Sequence, residues 1–565
     1  MTNAALFFAD DAYNTGRPKL MGRHVAGHGF LKAYLGDPST GDRWIYAADR
    51  ASRETLQKYL HGVPTGARVR TLGPESIADL ARPGCLFFPG PALAEAAWQR
   101  QMIDARGWSL CGVTHTLSSA GAMDAIAALL AAPLKPWDAL VCTSAAVRDV
   151  ARAVLDAQAE HLRTHLGATK VAPPELPVIP LGVDCREFAF SPDEREGARA
   201  ARGRGPHDVA VLFLGRLSFH AKVHPLAMYR ALERAALRRG AKDGRIVLIE
   251  CGWHANQFIA DAFAEARNRV APSIGHVLLD GRKDENRKRA WAAADIFCSL
   301  SDNIQETFGL TPIEAMAAGL PSVVTDWNGY RDTVRDGVDG YRVPTFMPAP
   351  GTGSDLAARH ALEIDTYDIY IGSVAQLVAV DEEAAHAALI RLIENPELRK
   401  EMGNAARARA KAIFDWPVVL ASYRALWGEL AARRAGESPR ATNSAPLSGR
   451  AGDSSCERPL ASTAPARPDP FTAFAGYASR TIGPETRVAR GAVTTDALRI
   501  QRRLAMVDFA KSVLPTDETV ARILDRAPAT VAELHAAVGA SSPEKTSRAV
   551  AWLLKMGALK IETPA

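Results

Sequence analysis

Up to about position 430, short apolar runs alternate with longer stretches in which apolar residues recur at helical spacing. The runs include Cys85–Phe88, Ala139–Cys142, Pro177–Ile179, Val209–Leu214, Ile246–Glu250, His276–Leu279, Ile296–Ser299 and Pro321–Val324. Most are four to six residues long and apolar at successive positions, as strands covered on both faces are. Helix-length segments rich in Ala, Leu and Arg lie between them, so the pattern predicts repeated βα units in an α/β, doubly wound architecture. It is long enough for two such sheets.

Breaks in this pattern divide the chain. Pro180-Leu-Gly-Val-Asp184 closes one set of strands, and the polar stretch from Ser191 to Pro206 precedes a fresh start at Val209. Two Rossmann-like domains are expected, at 1–200 and 201–435. Residues 436–470 hold six prolines, no aromatic residue and neither valine nor isoleucine, a composition that predicts a disordered linker. From Phe471 helical patterning returns. Asp517–Arg526, Val531–Val538 and Glu544–Met556 predict three helices of a small, mainly α-helical, winged-helix-like domain over 471–565, with Gly539 at the turn.

Composition narrows the class. At 47% hydrophobic and 23% charged residues the chain is globular, and its 565 residues exceed one domain. Its net charge, 68 − 63 = +5, is too small at this length to argue for a nucleic acid or membrane partner. The terminal unit carries 13 Lys+Arg against 9 Asp+Glu, far from strongly basic, and little chain follows Ile561 to build a wing. DNA binding is therefore disfavoured there against a protein-partner or structural use. No run approaches the roughly 20 apolar residues of a spanning helix. The start of the chain has no basic segment, and Asp10 and Asp11 interrupt its apolar stretch, unlike a secretory signal. Seven cysteines, odd in number and set mostly in apolar segments, read as reduced core residues, and the expected location is cytoplasmic, with peripheral membrane contact left open.

The chemistry concentrates in Ser301-Asp-Asn-Ile-Gln-Glu306-Thr-Phe-Gly-Leu-Thr-Pro-Ile-Glu314. Gly309 ends the extended part, and Thr311 with Pro312 predicts an N-cap and first helical residue. Glu306 then falls in a loop at a strand's carboxyl end and Glu314 in the first turn of the next helix, where free N–H groups favour an anionic ligand. Arg216 and Lys222 follow the strand ending at Leu214, where a planar fork and a point charge could share a diphosphate. No D-x-D pair ends a strand and no His/Cys cluster has ligand spacing, so neither metal nor cofactor is expected.

These segments, in order, resemble the retaining glycosyltransferases of the GT-B fold, the group 1 or GT4 family, over roughly residues 10 to 430. Glu306 and Glu314 with Gly319-Leu-Pro-Ser-Val-Val324 are similar to the family's E-x7-E and following strand. Gly215-Arg216-Leu217 with Lys222 resembles its G-R-L…K phosphate motif, here with one extra residue before the lysine. Val178-to-Asp184 and Arg331-to-Tyr341 resemble its interdomain segment and the turn after the donor site. The resemblance implies a nucleotide diphosphate-sugar as donor and an unidentified glycan, lipid-linked or small-molecule acceptor, with retention of configuration. It implies that Glu314 accepts hydrogen bonds from the ribose and that Glu306 meets the transferred sugar beside the amides of Phe308, Gly309 and Leu310. Gly22–Gly29 is read as opening a helix; the resemblance implies that its Gly27 and Gly29 belong to the glycine-rich first loop facing the phosphates and that His115 sits beside the donor sugar. Asn14, Thr15, Gly16 and Arg17 are candidate acceptor contacts. Two alternatives stay open: a nucleotide-sugar epimerase on the same fold, and a non-catalytic nucleotide-sugar-binding scaffold.

Overall fold

The computed structural model describes residues 3–15, 22–38, 41–61, 67–201, 205, 207–239, 243–436, 471, 480–508, 511–539 and 543–562. The linker expected at 436–470 therefore lies outside the described residues beyond Gly436, as do Gly16, Arg17 and Cys456. The chain forms two compact units, the larger spanning 1–100 and 105–441, the smaller formed chiefly by 442–565.

The larger unit holds two parallel six-stranded sheets. The first is built from β1 (Ala5–Phe7), β2 (Arg43–Tyr46), β3 (Val69–Leu72), β4 (Cys85–Phe88), β5 (Ser109–Val113) and β6 (Ala139–Val141), in the order β3-β2-β1-β4-β5-β6. The second is built from β7 (Val209–Leu214), β8 (Ile246–Gly252), β9 (Gly275–Asp280), β10 (Ile296–Ser299), β11 (Ser322–Thr325) and β12 (Gly340–Val343), in the order β12-β11-β10-β7-β8-β9. Read from its own first strand, the second sheet repeats the order of the first. Strand order reverses between β1 and β4 in one sheet and between β7 and β10 in the other, the places where open α/β sheets open a crevice for ligands.

The central strands β7 and β8 are buried along their whole length, as their continuous apolar sequence requires. Two differences from the sequence reading have physical causes. Pro177–Ile179 forms only an isolated bridge, between Val178 and Cys142, because Pro177 can accept a ladder bond, from the Cys142 N–H, but has no N–H to donate. Strand β9 is an edge strand and leaves Leu278 exposed, so it is not covered on both faces.

The long helix Trp416–Gly436 returns to the first sheet. Trp416, Val419, Leu420, Tyr423, Leu426, Trp427 and Leu430 are buried in one core with Leu6, Phe30, Phe87 and Val113. Burying a side chain of this size is worth roughly 1.5–3 kcal/mol, so seven of them hold the helix firmly. After β12 the chain makes an excursion bracketed by a short antiparallel pair, β13 (Thr345–Phe346) and β14 (Ala379–Val380). The excursion carries the helices Ser354–Ala361 and Tyr367–Ala375.

The smaller unit has the helices Asp517–Arg526, Val531–Val538 and Pro543–Lys555 around a core that includes Val488, Ile523, Leu534, Val550 and Leu553. Its antiparallel sheet comprises β15 (Arg487–Arg490), β16 (Ala529–Thr530) and β17 (Leu559–Ile561), with β15 in the middle. Gly539 ends the second helix in the left-handed region, at φ +59°. A capping box opens that helix: the Glu533 N–H donates to Thr530 Oγ1 at 3.2 Å and the Thr530 N–H to Glu533 Oε2 at 2.8 Å.

The six cysteines among the described residues are free thiols, all but Cys185 buried. Among these residues no helix is long and apolar enough to cross a membrane.

Candidate functional site

The chemistry-bearing segments meet at the carboxyl ends of β7 and β10, the reversal point of the second sheet. Leaving β7, the backbone turns at Gly215 and places Arg216 over the crevice. Its Nη2 donates to the Ala221 carbonyl at 3.0 Å and to Gln305 Oε1 at 2.6 Å. Burial lowers the Arg216 pKa from its usual value, with Asp368, Tyr367 and Glu306 opposing that shift. Lys222 pairs through Nζ with Glu306 Oε2, despite the extra residue that separates it from Arg216.

Leaving β10, the segment 301–309 winds back through a tight polar network. Asn303 Nδ2 donates to the His220 carbonyl at 2.8 Å, and its Oδ1 accepts from the Gln305 N–H at 2.9 Å. Trp327 Nε1 donates to the Asn303 carbonyl at 3.1 Å. Glu306 is consequently fixed from two sides. Asn328 Nδ2 donates to its backbone carbonyl, and the Tyr330 hydroxyl lies 3.5 Å from Oε2 and 3.0 Å from Ser299 Oγ. Asp302, buried beneath this turn and accepting from the His224 N–H at 3.2 Å, is pushed up to about 7 by desolvation.

Gly309 is required twice. Its φ is +84°, in the region that favours glycine, and a Cβ there would run into the ring edge of the fully buried Tyr330. It is also the N-cap of the helix Leu310–Ala317. The expected start at Thr311 and Pro312 is therefore corrected: Leu310 is the first helical residue. The positive φ at Gly309 turns the chain into the helix earlier than the Thr-Pro signal suggests. Glu314 accordingly lies beyond the first turn, as the fifth helical residue. It is only partly withdrawn from the surface, yet protein surrounds it closely enough that desolvation raises its pKa to about 7, against the attraction of Arg287 and Lys222. The Phe308 side chain is core, facing Phe414 at 6.1 Å between ring centroids, so what this segment offers the crevice is backbone.

The first domain faces this loop. Thr307 Oγ1 donates to the His115 carbonyl at 2.7 Å, and Ser144 Oγ donates to the Thr307 carbonyl at 2.9 Å. His115 follows the end of β5, and burial, with a smaller contribution from Arg23, lowers its pKa to about 4. Its imidazole is neutral at physiological pH. The Ser118 hydroxyl meets the Tyr367 hydroxyl at 2.7 Å.

Gly27 and Gly29 are in a different setting from the one expected. The helix expected to open at Gly22 is present as Gly22–Gly36, and both glycines lie inside it rather than in a loop. Gly27 allows close approach of the Ala12 backbone, and Gly29 makes room for the Trp416 indole. As the sixth and eighth residues of the helix, they have their N–H groups in its own bonding ladder, which removes the amides a phosphate would need. Gly27 and His115 instead line a small apolar cavity with Phe30, Pro89, Trp416 and Tyr423, of about 20 Å³, roughly one water molecule in size. Asn14 is bonded to Asp10 at 3.1 Å, and its neighbour Thr15 is exposed.

Sequence reasoning missed Asp302, Asn303, Gln305, Asn328, Tyr330 and Tyr367. The run Ser301–Gln305, polar but for Ile304 and one residue beyond a strand, was a visible signal for the first three. Tyr367 stands more than 60 positions from Glu306 and carries no local signal. Among the described residues no group of three or more His, Cys, Asp or Glu is arranged to hold a metal ion.

Two doubly wound sheets, with cations, a carboxylate and a helix N-terminus gathered at the reversal point of the second, form an α/β architecture whose crevice has the chemistry to take an anionic ligand. Residues 208–357, which carry this site, match the family model for "Glycosyl transferases group 1". D-inositol 3-phosphate glycosyltransferase of Mycobacterium sp. strain KMS is 31% identical over 168 residues, covering 30% of this chain and 36% of that protein. The namesake of Segniliparus rotundus is 25% identical over 376 residues, covering 62% and 73%. The chain thus spans about a third of the length of the first curated relatives it matches. The Anabaena protein HepE, solved with UDP and glucose, aligns with 76% of this chain and 100% of its own at 15% identity and a TM-score of 0.47.

Proposed function

We propose that the chain is a retaining, metal-independent glycosyltransferase that moves a sugar from a nucleotide diphosphate-sugar to a hydroxyl acceptor in glycoconjugate or polysaccharide synthesis. The observation that carries this reading is the convergence of Arg216, Lys222, Glu306 and the N-terminus of Leu310–Ala317 on one crevice.

In this reading the diphosphate lies against Arg216 and Lys222. As the anomeric C–O bond breaks, negative charge grows on the leaving diphosphate, and fixed cations and helix N–H groups stabilise it without reorganising. Lys222 bears on both parts of the donor: it offsets charge on the phosphate while its pairing with Glu306 orients that carboxylate toward the sugar. Glu314 accepts from the ribose hydroxyls. The amides of Phe308, Gly309 and Leu310 border the sugar, and neutral His115 serves as a hydrogen-bond partner for a sugar hydroxyl rather than as a cation. The acceptor enters from the first domain, its hydroxyl proton passing to the leaving phosphate on the same face, so no side chain is assigned as a covalent nucleophile. Interdomain contacts through Thr307 and Ser144 support a closed cleft that keeps water from the donor.

The same crevice in an epimerase or a scaffold would bind the nucleotide without transfer. Thermal shift with UDP-, GDP- and ADP-sugars, followed by acceptor-dependent release of nucleoside diphosphate, tests the reading. Binding without acceptor-dependent release would favour the alternatives.

For the smaller unit, we infer a winged-helix-like module used for protein contact. The three helices and small sheet support this, with β15 from before the helices occupying the central position. No basic recognition surface is assigned to it, and DNA binding is not part of the proposal.

A further inference from the structure

Between β12 and β14 lies an excursion that the transfer chemistry described above does not use. Its second helix, Tyr367–Ala375, presses close to the crevice: Gly372 comes so near His220 that a Cβ would lie 2.9 Å from the His220 Cβ. Asn303 Nδ2 reaches the Ile371 carbonyl at 3.5 Å. The first residue of this helix places its hydroxyl between the two domains.

Four side chains form a continuous line. Arg216 Nη2 donates to Gln305 Oε1 at 2.6 Å, Gln305 Nε2 donates to the Tyr367 hydroxyl at 3.1 Å, and that hydroxyl meets Ser118 Oγ at 2.7 Å. The direction of the line follows from chemistry. A guanidinium can only donate, so the oxygen of the Gln305 amide must face Arg216 and its nitrogen must face Tyr367. The tyrosine oxygen accepts from that nitrogen, and across the 2.7 Å to Ser118 Oγ either hydroxyl can be the donor. Ser118 is 5% exposed and comes from the first domain, whereas the other three belong to the second.

We propose that Tyr367 is a positioning residue that couples approach of the two domains to the orientation of the diphosphate-binding Arg216. When Ser118 reaches the Tyr367 hydroxyl, the tyrosine is fixed as an acceptor, Gln305 is locked in one orientation, and Arg216 is held on its carboxamide oxygen facing the crevice. The line supplies to Arg216 what Asn328 and Tyr330 supply to Glu306, but through a residue of the other domain. This inference rests on the reading of the crevice as a diphosphate-sugar site.

The test is isothermal titration of the full-length protein with UDP, GDP and ADP, comparing wild type with Tyr367→Phe, Ser118→Ala and the double variant. Losing one hydrogen bond in such a line corresponds to about a 10-fold change in affinity. Tyr367→Phe is expected to weaken the preferred nucleoside diphosphate by about that factor, Ser118→Ala by a similar factor, and the double variant by no more than the worse single. Phenylalanine keeps the ring packing and gives up only the hydroxyl's bonds, so the midpoint of thermal unfolding without nucleotide is expected to fall by no more than about 4 °C, leaving the protein folded at the titration temperature. Additive losses would overturn the coupling, and so would wild-type affinity in Tyr367→Phe. A drop in the unfolding midpoint that accounts for the lost affinity would overturn the positioning role. A wild-type protein that binds none of the three nucleotides would instead overturn the diphosphate reading itself, and this inference with it.

Discussion

Removing either partner of the Lys222–Glu306 pair should have unequal effects on stability and equal effects on transfer. The Glu306 side chain is 8% exposed and the Lys222 side chain 23%. Lys222→Ala leaves a carboxylate that water can hardly reach, with the Tyr330 hydroxyl 3.5 Å away and the charge of Arg216, itself turned onto Gln305, to offset it. Breaking a buried pair in this way costs roughly 3–5 kcal/mol, and the open side of the crevice and the nearby Arg216 bring the expectation to the lower end, about 3 kcal/mol. Glu306→Ala leaves a lysine whose flexible stem can swing its ammonium into solvent, so the loss should stay near the value of an exposed pair, below about 1 kcal/mol. In the double variant neither charge remains, and stability should recover to within about 1 kcal/mol of wild type, a coupling of the size contacting residues show. Urea unfolding followed by tryptophan fluorescence measures the first part. Acceptor-dependent sugar transfer measures the second: each of the three variants should lose at least 100-fold, about 3 kcal/mol of transition-state stabilisation. Equal destabilisation by both single changes, or a double variant worse than either, would refute the buried-pair argument. Wild-type turnover in Glu306→Ala would refute the site.

Arg216→Ala should lower transfer at least 100-fold, and EDTA should leave wild-type transfer unchanged; reversible loss on chelation would contradict the proposal that these cations suffice. With a pKa near 7, Glu314 is about nine-tenths protonated at pH 6, so donor KM should rise as pH falls from 8 to 6, and Glu314→Gln should flatten that profile. Asp302 titrates at a similar point, and Asp302→Asn measured in parallel separates the two contributions; His115, neutral above about pH 4, adds none. Both carboxyls bind protons more tightly folded than unfolded, so their contribution to stability should be largest below their unfolded values of about 4 and be lost as pH rises to about 7, which denaturation midpoints across that range would reveal. Gly309→Ala should destabilise by roughly 2–4 kcal/mol, from an L-residue at positive φ and the clash with Tyr330 together, and a change below 1 kcal/mol in urea unfolding would count against that geometry.

Strands β7, β8 and β10 were legible because buried parallel strands write themselves as unbroken apolar runs. β2 and β3 were not, since Arg43 opens the one and Arg70 interrupts the other. The structure buries Arg43 completely by turning its guanidinium onto the Gly41 carbonyl at 2.6 Å and over the Tyr34 ring, a solution no local pattern announces. In the crevice, Glu306, Arg216 and Lys222 were found through segments that sit directly after strands. Gly27 and Gly29 were misassigned because glycine pairs that admit a phosphate and glycine pairs that admit a neighbouring helix look alike until packing is known. Tyr367 and Asn328 were illegible for a simpler reason: their importance lies in what they touch across long stretches of chain.

The return of Trp416–Gly436 to the first sheet bears on how the protein is made. The first sheet emerges from the ribosome early, yet seven side chains of its core are encoded more than 270 residues after its last strand. Until those residues are synthesised, Phe30, Phe87 and Val113 border an unfilled groove. The nascent amino-terminal half therefore exposes apolar surface through synthesis of the whole second sheet, a long interval in which chaperone binding or premature pairing can intervene. A frameshift or stop codon near position 415 should consequently damage the first domain more than the second, whose own core clusters hold no residue beyond Phe414.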